Sequence, residues 1–263
     1  MAELIRTEQR EEIFEIVLNR PEKRNAINFD MYEQLDGAVR AAARAEGVRA
    51  VFVRGEGSDF SSGIDVSSFL ELAQRYGEGW QRQMRTITHD FQAVLNRLER
   101  LERPVIALIH GRCLGLAMEL ALACDMRLAA SDAVLALPET RLGIIPDVGG
   151  STRLTRLIGP GRAKELIFTG REIDAARAEA WGIVNHAVAP DELLANGEAL
   201  AAEIGQAAPL AVGMAKRVID GAADLERGLA LEGWAQSHLF QTEDFMEAVR
   251  SFMEGRRPEF KGK

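Results

Sequence analysis

The sequence predicts a layered α/β domain that ends in a helical region. Three observations lead there. IFEIVL at Ile13–Leu18, RAVFVR at 49–54 and PVIALIH at 104–110 have the length and the β-branched or aromatic content of strands. The stretches between them carry the three- and four-residue apolar period of helices, and alternation of the two indicates stacked layers. From about 190 to 255 the chain reads as mainly helical, with no strand pattern.

The elements follow in order. The first twenty residues are charged and alternate like a strand, and they lack the pattern of a signal peptide. Residues 30–46 read as a helix. A short helix is expected near 69–72, then a break at Gly77 and Gly79. A longer helix follows over 80–101, with Trp80, Met84, Ile87, Phe91, Val94, Leu98 and Leu101 on one face. Gly111–Gly115 reads as a glycine turn between a buried strand and an apolar helix at 117–124. Such a turn leaves free N–H groups at a helix start, where a negative atom is favoured. Residues 133–137 read as a short strand, 143–150 as a loop with Ser151 capping the next helix, and Asp174 as the cap of a helix closed by Gly182.

Composition narrows the function. With 263 residues, 47% of them apolar, the chain can build one large core. A net charge of -8 argues against a nucleic-acid partner, which needs a basic face. No apolar run reaches membrane-spanning length. The two cysteines, Cys113 and Cys124, form no CxxC or Cys/His pattern, and the four histidines are scattered. Buried thiols in a reducing cytoplasm and no metal are therefore expected.

Three carboxylates stand in frames punctuated by glycine and proline: Glu119 in LGLAMEL, Glu139 in LPETRLG and Asp147 in IIPDVGG. Carboxylates held in different surroundings can divide acid, base and charge-stabilising work. Glu119 sits in an otherwise apolar helix, where a charge has to be paired, solvated or functional. Glu139 alone reads as an ordinary strand-end residue, and Asp147 also suits a helix cap beside Ser151.

Taken together, LNRPEKRNAI at 18–27, FSSGID at 60–65, PVIALIHGRCLGLAMELALACD at 104–125, LPETRLGIIPDVGGSTRL at 137–154, FTGREIDAARAEAWGIVN at 168–185 and the terminal RRPEFKGK resemble the crotonase family, the enoyl-CoA hydratase/isomerase group. The pieces occur in the family's order over nearly the whole chain. The resemblance implies a spiral of β–β–α units over 1–200, which carries catalysis. It also implies a helical region over 201–263 that builds homotrimers or homohexamers. The implied substrate is an acyl-CoA thioester, and no cofactor is implied because coenzyme A is part of that substrate.

The resemblance also implies roles. The backbone N–H groups of Ile64, after Gly63, and Leu116, after Gly115, match an oxyanion hole for the thioester enolate, worth a few kcal/mol per donor. Many relatives have glycine where this chain has Leu116, and a non-glycine residue resists positive φ. Glu119 and Glu139 match the acids that flank the double bond in hydratases, with water assigned to Glu119 and the α-proton to Glu139. Asp147 departs from mitochondrial-type hydratases, which carry glycine, and matches dienoyl-CoA isomerases. The stretch between Asp65 and Pro104 has the length of those isomerases. Lys23, Arg24, Ala26 and Ser62 match CoA-facing positions. Phe252 and Arg256, with Arg257, Lys261 and Lys263, match a C-terminal segment that covers the CoA of a neighbouring subunit. Hydration of a 2-enoyl-CoA is the leading expectation, isomerisation of a dienoyl- or 3-enoyl-CoA the second, and non-catalytic CoA binding a third. A serine hydrolase is disfavoured because no GxSxG elbow is present.

Overall fold

The computed structural model describes residues 2–222 and 224–263. β1 (Ile5–Arg10) and β2 (Ile13–Leu18) form an antiparallel hairpin. Asn28 accepts the Met31 N–H at 2.9 Å and so caps α1 (Phe29–Arg44). β3 (Ala50–Gly55) follows, then the short α2 (Leu72–Tyr76), α3 (Met84–Glu99), β4 (Val105–Ile109), β5 (Arg112–Leu114) and α4 (Leu116–Leu122). β6 (Met126–Ala130) and β7 (Val134–Ala136) precede α5 (Gly150–Thr169), which kinks at Gly159 ahead of Pro160. β8 (Ile173–Asp174), α6 (Ala175–Ala180), β9 (His186–Val188) and α7 (Leu193–Gly205) complete the layers. α8 (Pro209–Gly221), α9 (Leu225–Leu239) and α10 (Glu243–Glu254) form the helical end.

The large sheet runs β1-β2-β3-β4-β6-β9 and is parallel from β2 onward. Its inner strands β2, β3 and β4 are buried on both faces, which is why they read as nearly unbroken apolar runs. A second sheet contains β5, β7 and β8, and single bridges at Ser61–Cys113 and Ile27–Ile64 continue the same pattern toward earlier turns. Each turn thus runs from a large-sheet strand to a short strand or bridge and then to a helix. The result is the expected β–β–α spiral, closed by a helical C-terminal region. α7 lies on β3, β4 and β6, while α8 and α9 pack on each other. The boundary expected at 200/201 falls within α7.

Several local expectations change. Residues 112–114 are a strand inside what the sequence presents as a bare glycine turn, because they pair with β7. β6 has no sequence expectation, since MRLAA puts a cation in a central strand. Arg127 is tolerated there because its guanidinium donates to the carbonyls of Cys124, just after α4, and Ile183, just after α6, both at 2.6 Å. The 80–101 helix starts as a 3-10 turn, and its α-helical part begins at Met84. Ser151 caps nothing: its hydroxyl donates to the Pro146 carbonyl at 2.8 Å, and Gly149 stands at the start of α5. Asp174 does cap α6, accepting the Arg177 N–H at 2.7 Å. Among the described residues no helix is long and apolar enough to cross a membrane.

Candidate active site

The loop after β2 and the loop after β3 meet through one side chain. Asn25 is fully buried, with φ 52°, a left-handed conformation that asparagine tolerates better than most residues. Its Oδ1 accepts the Arg20 N–H at 2.8 Å, and its Nδ2 donates to the carbonyls of Glu56 and Asp59 at 2.8 Å and Phe60 at 3.2 Å. Ser61 donates to the Asn25 carbonyl at 2.7 Å and accepts the Gly63 N–H at 3.1 Å. Arg24 accepts the Ser62 N–H at 2.9 Å, so the segments carrying Lys23, Arg24, Ala26 and Ser62 lie side by side. Asn25→Ala strands several buried carbonyls. It is expected to destabilise the fold by on the order of 3 kcal/mol, read as a lower denaturation midpoint at unchanged slope.

That brace aims Ile64. In its parallel bridge the flanking groups do the pairing: Ile27 N–H to Gly63 O and Asp65 N–H to Ile27 O, both 2.8 Å. The Ile64 N–H therefore points to the opposite side, and among the described residues it has no backbone acceptor. Leu116 is the first residue of α4, so its N–H has no partner within that helix. The two donors lie close together. A Cβ on Gly63 would lie 3.5 Å from the Leu116 nitrogen and 2.4 Å from the Leu114 oxygen. The positive φ sits on Gly115, at 56°, and not on Leu116, which joins the helix without strain.

The carboxylates gather beside these donors. Glu119, 2% exposed, accepts the N–H groups of Val148 at 2.8 Å and Gly150 at 2.7 Å on Oε1. It thus takes the place of a cap for α5, whose start lacks a capping side chain. Burial above all, then the neighbouring Glu139 and Asp147 charges, pushes Glu119 up to about 8 against the pull of those two N–H groups. Glu139, 8% exposed, approaches the α4 start closely enough that a Cβ on Gly115 would lie 2.9 Å from its Oε1. Its Oε2 is buried and has no protein partner among the described residues. Burial first, and then Asp147, pushes Glu139 up to about 7. Near neutral pH the pair holds roughly one proton between its members. Asp147 accepts the Thr88 hydroxyl at 2.8 Å on Oδ2, and Gln92 donates to its carbonyl at 2.6 Å. It does not cap α5.

Two buried acids beside a pair of neighbouring N–H donors, on a β–β–α spiral, coincide with a match of residues 8–263 to the model of the enoyl-CoA hydratase/isomerase family. The chain belongs to this family. It is 38% identical to the short-chain-enoyl-CoA hydratase of Clostridium acetobutylicum over 93% of this chain and 92% of that protein. It is 34% identical to the mitochondrial Delta(3,5)-Delta(2,4)-dienoyl-CoA isomerase of Dictyostelium discoideum, over 98% of this chain and 91% of that protein. A crystal structure of enoyl-CoA hydratase from Bacillus anthracis superposes with a TM-score of 0.90 at 36% identity, covering 99% of this chain and all of that one.

Not every expected member of this family site lies at the acids. Phe252 on α10 is 87% exposed, and Arg256 is paired with Glu247 and Glu254, each at 2.6 Å. The tail beyond them folds back on its own chain. Lys261 and Gly262 donate to Asp244, and Arg49, just before β3, donates to the Phe260 carbonyl at 2.9 Å. That end of β3 is opposite the one leading to Ser62. Among the described residues no hydrogen bond or ion pair joins Phe252 or Arg256 to Lys23, Arg24 or Ser62 in the same chain. A cleft of about 630 Å³ lies between α8, α5 and the end of α4, and none of the three acids lines it. It marks the seam between core and helical end. The sequence reading missed Asn25, Ser61, Thr88 and Gln92. The left-handed pair of exposed Arg24 and buried Asn25 has a sequence signal, the turn preference of Asn; the α3 contacts have none.

Proposed function

We propose that this protein is an enoyl-CoA hydratase, adding water reversibly to a 2-enoyl-CoA thioester. The observation that carries this reading is the pairing of two buried glutamates, both with raised proton affinity, with the neighbouring N–H groups of Ile64 and Leu116. The thioester oxygen accepts from both N–H groups, which stabilise the enolate as it forms. Glu119 activates water and Glu139 delivers the proton to the α-carbon. Donor count assigns these roles more firmly than the small difference in proton affinity. Two N–H groups favour the ionised form of Glu119 against one, its own, for Glu139, whose buried Oε2 has no partner among the described residues and suits a proton donor. The CoA belongs to the substrate, with Lys23, Arg24, Ala26 and Ser62 along its path, and the chemistry invokes no cofactor. Loss of the conjugated absorbance of crotonyl-CoA tests the reading; no loss with wild-type protein sinks it.

A second activity, isomerisation of a 3,5-dienoyl-CoA, is favoured by Asp147, a third carboxylate whose charge reaches both glutamates. Asp147→Asn is expected to lower diene isomerisation by orders of magnitude and hydration far less. Equal losses in both reactions would remove Asp147 from a separate role.

We also assign α8–α10 to assembly of a trimer or hexamer. Leu229, Trp234, Phe240, Met246 and Met253 are apolar and exposed there. Phe252 and Arg256 would then face the CoA of a neighbouring copy, and sedimentation as a monomer speaks against this part. A cytoplasmic location suits Cys113 and Cys124, which are buried free thiols.

A further inference from the structure

We propose that Thr88 and Gln92 of α3 are positioning residues for Asp147, and that Asp147 contributes to proton transfer only while α3 holds it. The inference rests on the proposed thioester chemistry of the site. Thr88 and Gln92 stand four residues apart, one turn on one face of α3. One grips the Asp147 carboxylate on Oδ2 and the other its backbone carbonyl, at 2.8 and 2.6 Å. α3 is itself fixed. Val94, Leu95 and Leu98 are buried in the core, and Tyr32 donates to the Phe91 carbonyl at 2.6 Å with the two rings stacked 4.5 Å apart.

The grip matters for two reasons. Among the described residues Oδ1 accepts no hydrogen bond, so Thr88 determines which oxygen is left for the substrate. The residues that follow, Val148 and Gly150, hold Glu119, so the Gln92 contact also fixes the cradle of the first acid. The titratable groups that feel the Asp147 charge are Glu119 from α4, Glu139 from the turn after β7 and Tyr32 from α1, and Arg153 from α5 donates one residue along the loop, to Val148. Arg153 spends its charge on Glu99 at 2.9 Å and donates to the Val148 carbonyl at 3.1 Å. Thr88 is therefore the only side-chain donor to the Asp147 carboxylate among the described residues. Released, that carboxylate can swing away, and the glutamates lose a neighbouring negative charge that raises their proton affinity.

A double-mutant cycle on full-length protein tests this, read on whichever of crotonyl-CoA hydration and 3,5-dienoyl-CoA isomerisation the wild type catalyses. Thr88→Val is expected to lower kcat about ten-fold with little change in KM. It should also move the pH profile to lower pH, as Asp147→Asn does. Thr88→Ser restores both. In the Asp147→Asn background, Thr88→Val changes neither. Should Thr88→Val not fold, Gln92→Leu enters the same cycle and is expected to couple to Asp147 with the same sign. The proposal is overturned if the Thr88 effect is the same size in both backgrounds, if Thr88→Val matches wild type, or if serine fails to restore. A wild-type protein that turns over neither substrate overturns the reading of the site together with the proposal.

Discussion

Glu119→Gln and Glu139→Gln are each expected to lower turnover of an enoyl-CoA by several orders of magnitude and to leave a folded protein. Glutamine keeps the shape, and at position 119 its Oε1 still accepts from Val148 and Gly150, so α5 keeps its start. What is lost is the proton inventory. Wild type works when the pair holds one proton, so kcat/KM is expected to peak near neutrality and fall on both sides. Stability carries the same signature with a definite sign. Glu119 is raised from its ordinary 4.5 to about 8, so the folded protein binds its proton more tightly than the unfolded chain. That contribution is complete below the unfolded value and is lost as pH rises through the folded one. At about 1.4 kcal/mol per pKa unit it is on the order of 5 kcal/mol. Glu119→Gln should therefore gain on wild type across this window and level off above it. Thermal melts at a series of pH values decide the matter. A constant difference between the two proteins would show that Glu119 is not a buried titrating acid, and turnover near wild type in either variant removes it from the chemistry.

The acids were legible in the sequence for different reasons. Glu119 stands out as a charge in an apolar helix. Glu139 looks bland, and only the resemblance marks it, because its environment comes from a meeting of the β7 end with the α4 start. The proposed oxyanion donors are backbone groups and leave no letter at all; Gly63 and Gly115 are their only trace. The strands that read well, β2, β3 and β4, are covered on both faces and therefore composed almost entirely of apolar residues. β6 hid because Arg127 satisfies carbonyls that no local pattern announces. Thr88 and Asp147 are 59 residues apart, and nothing in either segment encodes the contact. The periodicity of 80–101 records which face of α3 meets the core, while Thr88 and Gln92 belong to the face that meets the site. Single-sequence reading thus recovers what burial dictates and misses polar contacts that tertiary structure assembles.

Those two glycines carry the other large expected effect. Gly63→Ala and Gly115→Ala are each expected to abolish most activity, by different routes. Gly63 has φ 89°, and an added Cβ would lie 2.4 Å from the Leu114 carbonyl oxygen, which is backbone and cannot swing aside. Alanine there must shift the Ile64 or the Leu116 N–H, and losing one such donor typically lowers kcat about a hundred-fold or more. The strained conformation and the clash should also lower stability by roughly 1–3 kcal/mol or more. At Gly115, with φ 56° and ψ -125°, the added carbon would lie 2.9 Å from Oε1 of Glu139, a side-chain atom that can move. The positive φ still costs stability, by roughly 1–3 kcal/mol, but without a backbone clash the fold should survive better than in Gly63→Ala, while the Glu139 carboxyl is displaced. Kinetics and denaturation together separate the two. Gly63→Ala should lose turnover and the larger share of stability, and Gly115→Ala kcat with the smaller loss of stability. If Gly63→Ala kept full turnover, the Ile64 and Leu116 N–H groups would not be the donors that stabilise the enolate.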